Sequence, residues 1–214
     1  MTVLALDTAS PRPAVAILSS GRLFEEPLPD GRRASEELLP AIRRALAASG
    51  RALGACVRIG VCAGPGSFTG VRVGLATAWG LGRASGIPVE AVSTLEAMAE
   101  AARASGAGRV VALLDAGRGE LVAERFDLAG PRARSVAPAA LLRAGDVASF
   151  VAGDRVVALP EGPLAPAVSV LTRTIAAALA EAIARSPRSD SDASSALSAI
   201  YSRPSAAEEK HGAA

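Results

Sequence analysis

The chain has 214 residues, half of them hydrophobic, enough for one large domain or two small lobes around a substantial core. Its net charge is only +2, with Lys210 the single lysine among arginines and neither half strongly basic, so tight RNA binding by this chain alone is not expected. No apolar stretch reaches the roughly 20 residues of a bilayer helix, and Val3 to Leu6 is too short and lacks the basic flank of a signal peptide, so the expectation is a cytoplasmic protein without a membrane partner.

Strand and helix signals alternate through the first half, the pattern of an α/β layered fold. Val3 to Leu6, Ala14 to Leu18 and Leu23 to Leu28 read as strands separated by Pro and Gly turns. A helix is expected from a cap at Ser35 to Gly50, with Pro40 displacing or bending its start. Val57 to Ala63 reads as a buried strand, followed by a helix from Gly70 to Ser85 that Gly86 and Pro88 close. Val89 to Val92 is a further strand, and Ser93 with Glu96 forms a capping box for a third helix. Cys56 and Cys62 are read as reduced packing residues, because their spacing leading into a strand separates them by roughly 20 Å.

The second half opens with an echo of the first. Val3-Leu4-Ala5-Leu6-Asp7-Thr8-Ala9 lines up with Val111-Ala112-Leu113-Leu114-Asp115-Ala116-Gly117, and a second strand follows each copy, Ala14 to Leu18 in one and Glu120 to Phe126 in the other. This favours a duplicated fold over two central strands that merely share a composition. Phe150 to Ala152 reads as a short strand ending at Gly153-Asp154, and Leu171, Ile175, Leu179 and Ile183 mark an amphipathic helix. Leu197 to Tyr201 looks like an anchor in a polar stretch, and residues 205–214 are expected to be a disordered tail.

Two strand-borne carboxylates facing each other between duplicated lobes are an arrangement that holds a metal and nucleotide phosphates. Asp7, with Thr8 and Ser10 in its turn, and Asp115 are the candidates; the alternative is that each Asp caps its own turn. The glycine-rich stretch Gly64-Pro65-Gly66-Ser67-Phe68-Thr69-Gly70-Val71-Arg72, which leaves a strand and opens a helix, could cradle a phosphate at the helix N-terminus, or its glycines could serve only close backbone approach. It is not a Walker loop, because no Gly-Lys-Ser/Thr follows. His211 is the sole histidine, so acyl-transfer triads lack a base and Ser67 is read as a loop or capping hydroxyl.

Asp7-Thr8, Ser35-Glu36 with Leu38-Leu39-Pro40, the stretch Gly64 to Ala78, Val92 to Glu96 and Asp115-Ala116 occur in the order and spacing of the TsaB family. The chain resembles that family over about its first 120 residues, and more weakly at Gly153-Asp154 and Tyr201-Ser202-Arg203-Pro204. The resemblance implies a two-lobed actin-like, ribonuclease-H-like ATPase fold, divided as residues 1–103 and 104–204. It also implies a non-catalytic subunit, without a cofactor of its own, that supports a TsaD-type threonylcarbamoyl transferase in tRNA threonylcarbamoyladenosine synthesis. A TsaE-type P-loop ATPase would be a further partner, tRNA would be met only through the complex, and the chain alone would pair with itself. The enzyme of that system carries its metal on a histidine pair, and Ala34 stands where many relatives have a histidine. The rival readings are a small actin-like ATPase or kinase using Asp7 and Asp115, and a self-sufficient homodimeric structural protein.

The resemblance places the partner contact on the first two helices. A wheel of the second puts Gly70, Gly74, Ala78 and Gly82 on a stripe along which another backbone can come close, flanked by Leu75 and with Arg72 and Trp79 elsewhere on the circumference. A helix apolar nearly all round is expected to be buried nearly all round. Leu38 and Ile42 complete the expected interface from the first helix. Trp79, which stands where relatives often have lysine, is either a partner anchor or a residue folded onto the chain's own core.

Overall fold

The computed structural model describes residues 1–29, 33–151, 153–158, 169–170 and 173–186. The expectations for Ala152, Leu171, Leu197 to Tyr201, Tyr201 to Pro204, His211 and the 205–214 tail lie outside them.

Strands β1 (Thr2–Asp7), β2 (Ala14–Ser19) and β3 (Arg22–Pro27) form an antiparallel meander, to which β4 (Arg58–Cys62) and β5 (Val89–Val92) add in parallel, giving the order β3-β2-β1-β4-β5. The second sheet repeats this plan. β6 (Arg109–Gly117) is central, β7 (Glu120–Asp127) pairs antiparallel with it, and β8 (Arg134–Ser135) and β9 (Ala140–Arg143) extend β7. On the other side β10 (Arg155–Ala158) and β11 (Ser169–Val170) add in parallel. The echoing segments are therefore β1 and β6, the equivalent strands of a duplicated, two-lobed actin-like α/β fold.

Alternation along the strands sorts the core into layers. Leu4, Leu6, Val15, Ile17, Ile59 and Val61 face α1 (Ala34–Ser49) and α2 (Phe68–Ser85). The opposite face, built from smaller residues including Val3, Ala5, Ala14 and Ala16, meets α5 (Ile175–Arg185), and a Cβ at Gly60 would overlap Ile183 of that helix. Residues Val110, Ala112, Leu114 and Val122 of the second sheet enter the same central layer, where α3 (Thr94–Ala101) lies beside α5. Thus α3 packs on the second sheet, while α5, late in the chain, packs on the first.

Arginines bind these layers at one seam. Arg132, on the loop after β7, donates to Glu90 of β5 (2.8 Å), to Glu96 of α3 (2.8 Å) and to the Ser186 carbonyl at the end of α5 (3.0 Å). Glu100 of α3 accepts from Arg103 (2.9 Å), from Arg185 of α5 and from the Ala133 amide. Arg103 also donates to the carbonyls of Leu128 (2.5 Å) and Gly130 (3.0 Å).

Several local expectations are corrected. The first helix starts at Ala34, so Ser35 lies inside it and the cap position, Arg33, makes no side-chain bond. Pro40 stands within the helix, where both it and Glu36, whose carbonyl loses its i+4 partner, are exposed to water. The second helix starts at Phe68, capped by Ser67 Oγ accepting from the Gly70 amide at 3.2 Å. Ser93 caps α3 through the Leu95 amide, and Glu96 is turned to Arg132. The expected strand at Phe150 is helical, α4 (Val147–Val151), because Val147, Phe150 and Val151 at i, i+3 and i+4 cover Val111, Leu113, Ala123 and Val156. The last helix begins at Ile175 under a Thr174 cap rather than at Leu171.

Burial pushes the Glu100 carboxyl up, but Arg103, the Ala133 amide and Arg185 outweigh it and hold the group below its ordinary 4.5. A depressed pKa in the folded state means stabilisation that is complete above about pH 4.5 and lost as acid protonates the group below it. Glu100→Gln is expected to lower stability by roughly 2 kcal/mol at neutral pH, because the buried side chain loses its charge-assisted hydrogen bonds to the partly exposed Arg103 and Arg185. In urea melts the gap to wild type should narrow as the pH falls below 4.5; a gap that widens there contradicts this role.

Candidate functional site

Two regions qualify, the turns that end β1 and β6, and the outer surface of the α1–α2 layer. Asp7 ends β1 and is fully buried. Its Oδ1 accepts from the amides of Ala9 (3.0 Å) and Ser10 (3.1 Å), and its Oδ2 from Ser10 Oγ (2.5 Å). Burial raises its pKa, against the opposing pull of these hydrogen bonds. The Cys62 thiol beside it is also pushed up, first by burial and then by the Asp7 charge. Thr8, likewise buried, donates its hydroxyl to the Gly70 carbonyl at 2.6 Å. Both side chains thus hold the turn.

Asp115, the equivalent residue on β6, is exposed, and its Oδ1 accepts from the Gly117 amide at 2.7 Å. Each Asp caps its own turn, the second of the two readings open from the sequence. The glycine-rich loop is explained in the same way. Ser67 donates its amide to the Ala9 carbonyl (2.8 Å), the Gly64 carbonyl accepts from the Thr94 amide (2.8 Å), and a Cβ at Gly66 would overlap the Ala9 carbonyl oxygen. Close backbone approach is what these glycines provide. Among the described residues no three His, Cys, Asp or Glu side chains come together as a metal-binding group, and both cysteines are buried free thiols.

The second helix divides cleanly between two faces. Gly70, Gly74, Ala78 and Gly82 are buried, and the backbone they approach belongs to their own lobe. A Cβ at Gly70 would overlap the Thr8 carbonyl oxygen, one at Gly74 the Thr8 hydroxyl, and one at Gly82 Val89 of β5. The small-residue stripe is thus the seat of α2 on its sheet, not a partner contact. Leu38 and Ile42 are corrected likewise, since both are buried in the same layer. Leu75 is half-buried.

The outward stripe carries Phe68, Arg72, Ala76, Trp79, Gly80 and Arg83. Trp79 is 54% exposed, which excludes the core alternative, and Phe68 is 41% exposed. Leu39 on the neighbouring α1 is also 54% exposed. Sequence reading passed over Phe68 and Leu39, although the helical wheel places Phe68 eleven residues, almost three whole turns, before Trp79 and hence on its face. Large exposed apolar side chains beside arginine are the composition of a protein-binding surface.

Asp7→Ala is expected to cost about 3 kcal/mol in urea unfolding, because it strands two buried amides and a hydroxyl. Asp115→Ala, at an exposed turn, should stay within about 1 kcal/mol of wild type. Similar small losses at both positions would contradict the bracing role of Asp7.

The family model for TsaD, tRNA N6-adenosine threonylcarbamoyltransferase, matches residues 27–194. The chain is 38% identical to the tRNA threonylcarbamoyladenosine biosynthesis protein TsaB of Escherichia coli (strain K12) over 122 residues, which is 56% of this chain and 53% of that protein. Against the protein of the same description from Bacillus subtilis (strain 168) the figures are 34%, 56% and 53%. The chain thus spans about half the length of these curated relatives. The solved structure of YeaZ from Pseudomonas aeruginosa matches with a TM-score of 0.68 at 32% identity, covering 86% of this chain and 89% of that one.

Proposed function

The chain belongs to the TsaB family, and on that premise we propose that it serves tRNA threonylcarbamoyladenosine synthesis as a binding subunit. In this reading it docks on a TsaD-type threonylcarbamoyl transferase through the outward face of α1 and α2 and holds that enzyme in a competent state. A TsaE-type P-loop ATPase joins the assembly, tRNA is met only through the complex, and the chain performs no chemistry and needs no cofactor of its own. The cytoplasm, where tRNA is modified, is its place of work. Pairing with a second copy is what the same face does when no transferase subunit is present.

The observation that carries this reading is the contrast between Asp7 and Trp79. The carboxylate at the position where actin-like ATPases handle phosphate is fully buried and bound to its own turn, while the largest side chain of the chain stands half in water on a helix. A kinase or ATPase needs the first group free for ligand. A docking subunit needs the second.

Co-expression with the TsaD-type protein of the same organism, followed by sizing of the product, tests it. A discrete complex is expected, and Trp79→Ala should weaken it by about 2 kcal/mol or more while leaving the melting temperature nearly unchanged, because the indole lies outside the core. The reading fails if the two proteins elute separately, or if the isolated chain turns over magnesium ATP and Asp7→Asn abolishes that turnover.

A further inference from the structure

The arginine seam has an open side. A cavity of about 510 Å³ lies against the loop after β7, lined by the apolar side chains of Ala129, Pro131 and Ala133 and by the Arg132–Glu96 ion pair. Its volume is that of several side chains rather than of a single water, roughly 30 Å³. Asp127 and Arg134, cross-strand neighbours on β7 and β8, also line it. Arg132 is largely closed to water, yet its Nε is a buried donor for which the described residues hold no acceptor. A buried donor left in this state marks a missing neighbour.

Ser186 lines the same cavity, and Arg132 holds its carbonyl at 3.0 Å. The chain therefore leaves α5 on the cavity wall, in the extended backbone that a following proline, Pro187, favours. Residues 187–196 contain no large apolar side chain. After them come Leu197, Ile200 and Tyr201, the only large apolar or aromatic side chains in the sequence beyond Ser186. Ten intervening residues reach at most about 35 Å. The anchor-like stretch is thus tethered within reach of the point where the chain left α5.

We propose that this cavity is the seat of the chain's own residues 197–201. Leu197 and Ile200 fill it against Ala129, Pro131 and Ala133, and Tyr201 donates its hydroxyl to the carboxylate of Asp127. The segment shuts water out of the Arg132–Glu96 pair, which strengthens the attraction between the two charges. A tethered segment meets the cavity at an effective concentration in the millimolar range, which neither a second copy nor a separate partner matches at ordinary protein concentrations. No lining residue belongs to α1 or α2, so this inference does not rest on the reading of those helices as a docking face.

Tyr201 is the one tyrosine of the chain, so fluorotyrosine labels this segment alone. Fluorine NMR with a soluble paramagnetic probe and hydrogen exchange of residues 128–134 are measured on the full chain as wild type, Ile200→Asp and Ala129→Glu. Ala129 is exposed, so its variant is expected to keep the wild-type fold and melting temperature. The fluorine should be shielded from the probe in wild type and open to it in both variants, with exchange in 128–134 at least about tenfold faster in each. A wild-type fluorine as accessible as free fluorotyrosine overturns the inference, as does unchanged exchange in both variants. Shielding that survives Ala129→Glu also overturns it, because the segment is then seated elsewhere. Shielding that is lost on dilution, together with a dimer in sedimentation, overturns it in favour of a second copy.

Discussion

Arg132 reaches from the second sheet into the first lobe and is held there by Glu90 and Glu96, two carboxylates almost closed to solvent. Buried charges are tolerated only when paired, so β5, α3, the loop after β7 and the end of α5 must all be in place together. Arg103 and Arg185 do the same for Glu100. The bonds of Arg132 and Arg185 run across elements far apart in sequence, and they tie the helices of the central layer to the two sheets. The first sheet, packed on α5 with one face, carries α1 and α2 on the other.

A second constraint ties the turn after β1 to the helix that follows the glycine-rich loop. The loop before α2, the turn after β1 and α2 itself are interlocked through backbone contacts that only glycine permits at Gly66 and Gly70. Asp7 and Thr8 stitch that junction from inside. A turn used this way positions a helix, and the helix it positions carries Trp79 outward. The turn that ends β1 and the glycine-rich loop together serve, in this chain, as the mount for α2.

Much of this was legible in the sequence. The central strands, the helix from the Ser67 loop to Gly86 and the internal echo are marked by apolar runs, caps and turn glycines, which are local signals. The orientation of α2 was not legible, because a stripe of glycine and alanine fits a close neighbour of any origin, and the sequence does not say whether that neighbour is another protein or the chain's own turn. Leu38 and Ile42 were misassigned for the same reason, since apolar helix positions look alike whether they face a sheet or a partner. The arginine seam was invisible, because Arg132 and Glu90 are 42 residues apart and carry no local pattern. The helix at Phe150 was missed because five residues are too few for periodicity to separate helix from strand.

In the proposed function this chain works through the outward face of α1 and α2 and not through its aspartate turns. Hydrogen exchange, measured on the chain alone and with the TsaD-type subunit bound, tests it most directly. New protection is expected to concentrate in residues 34–49 and 68–85, with the amides of Ala9, Ser10 and Gly117 unchanged. Protection that appeared at those turn amides while both helices exchanged as before would contradict it.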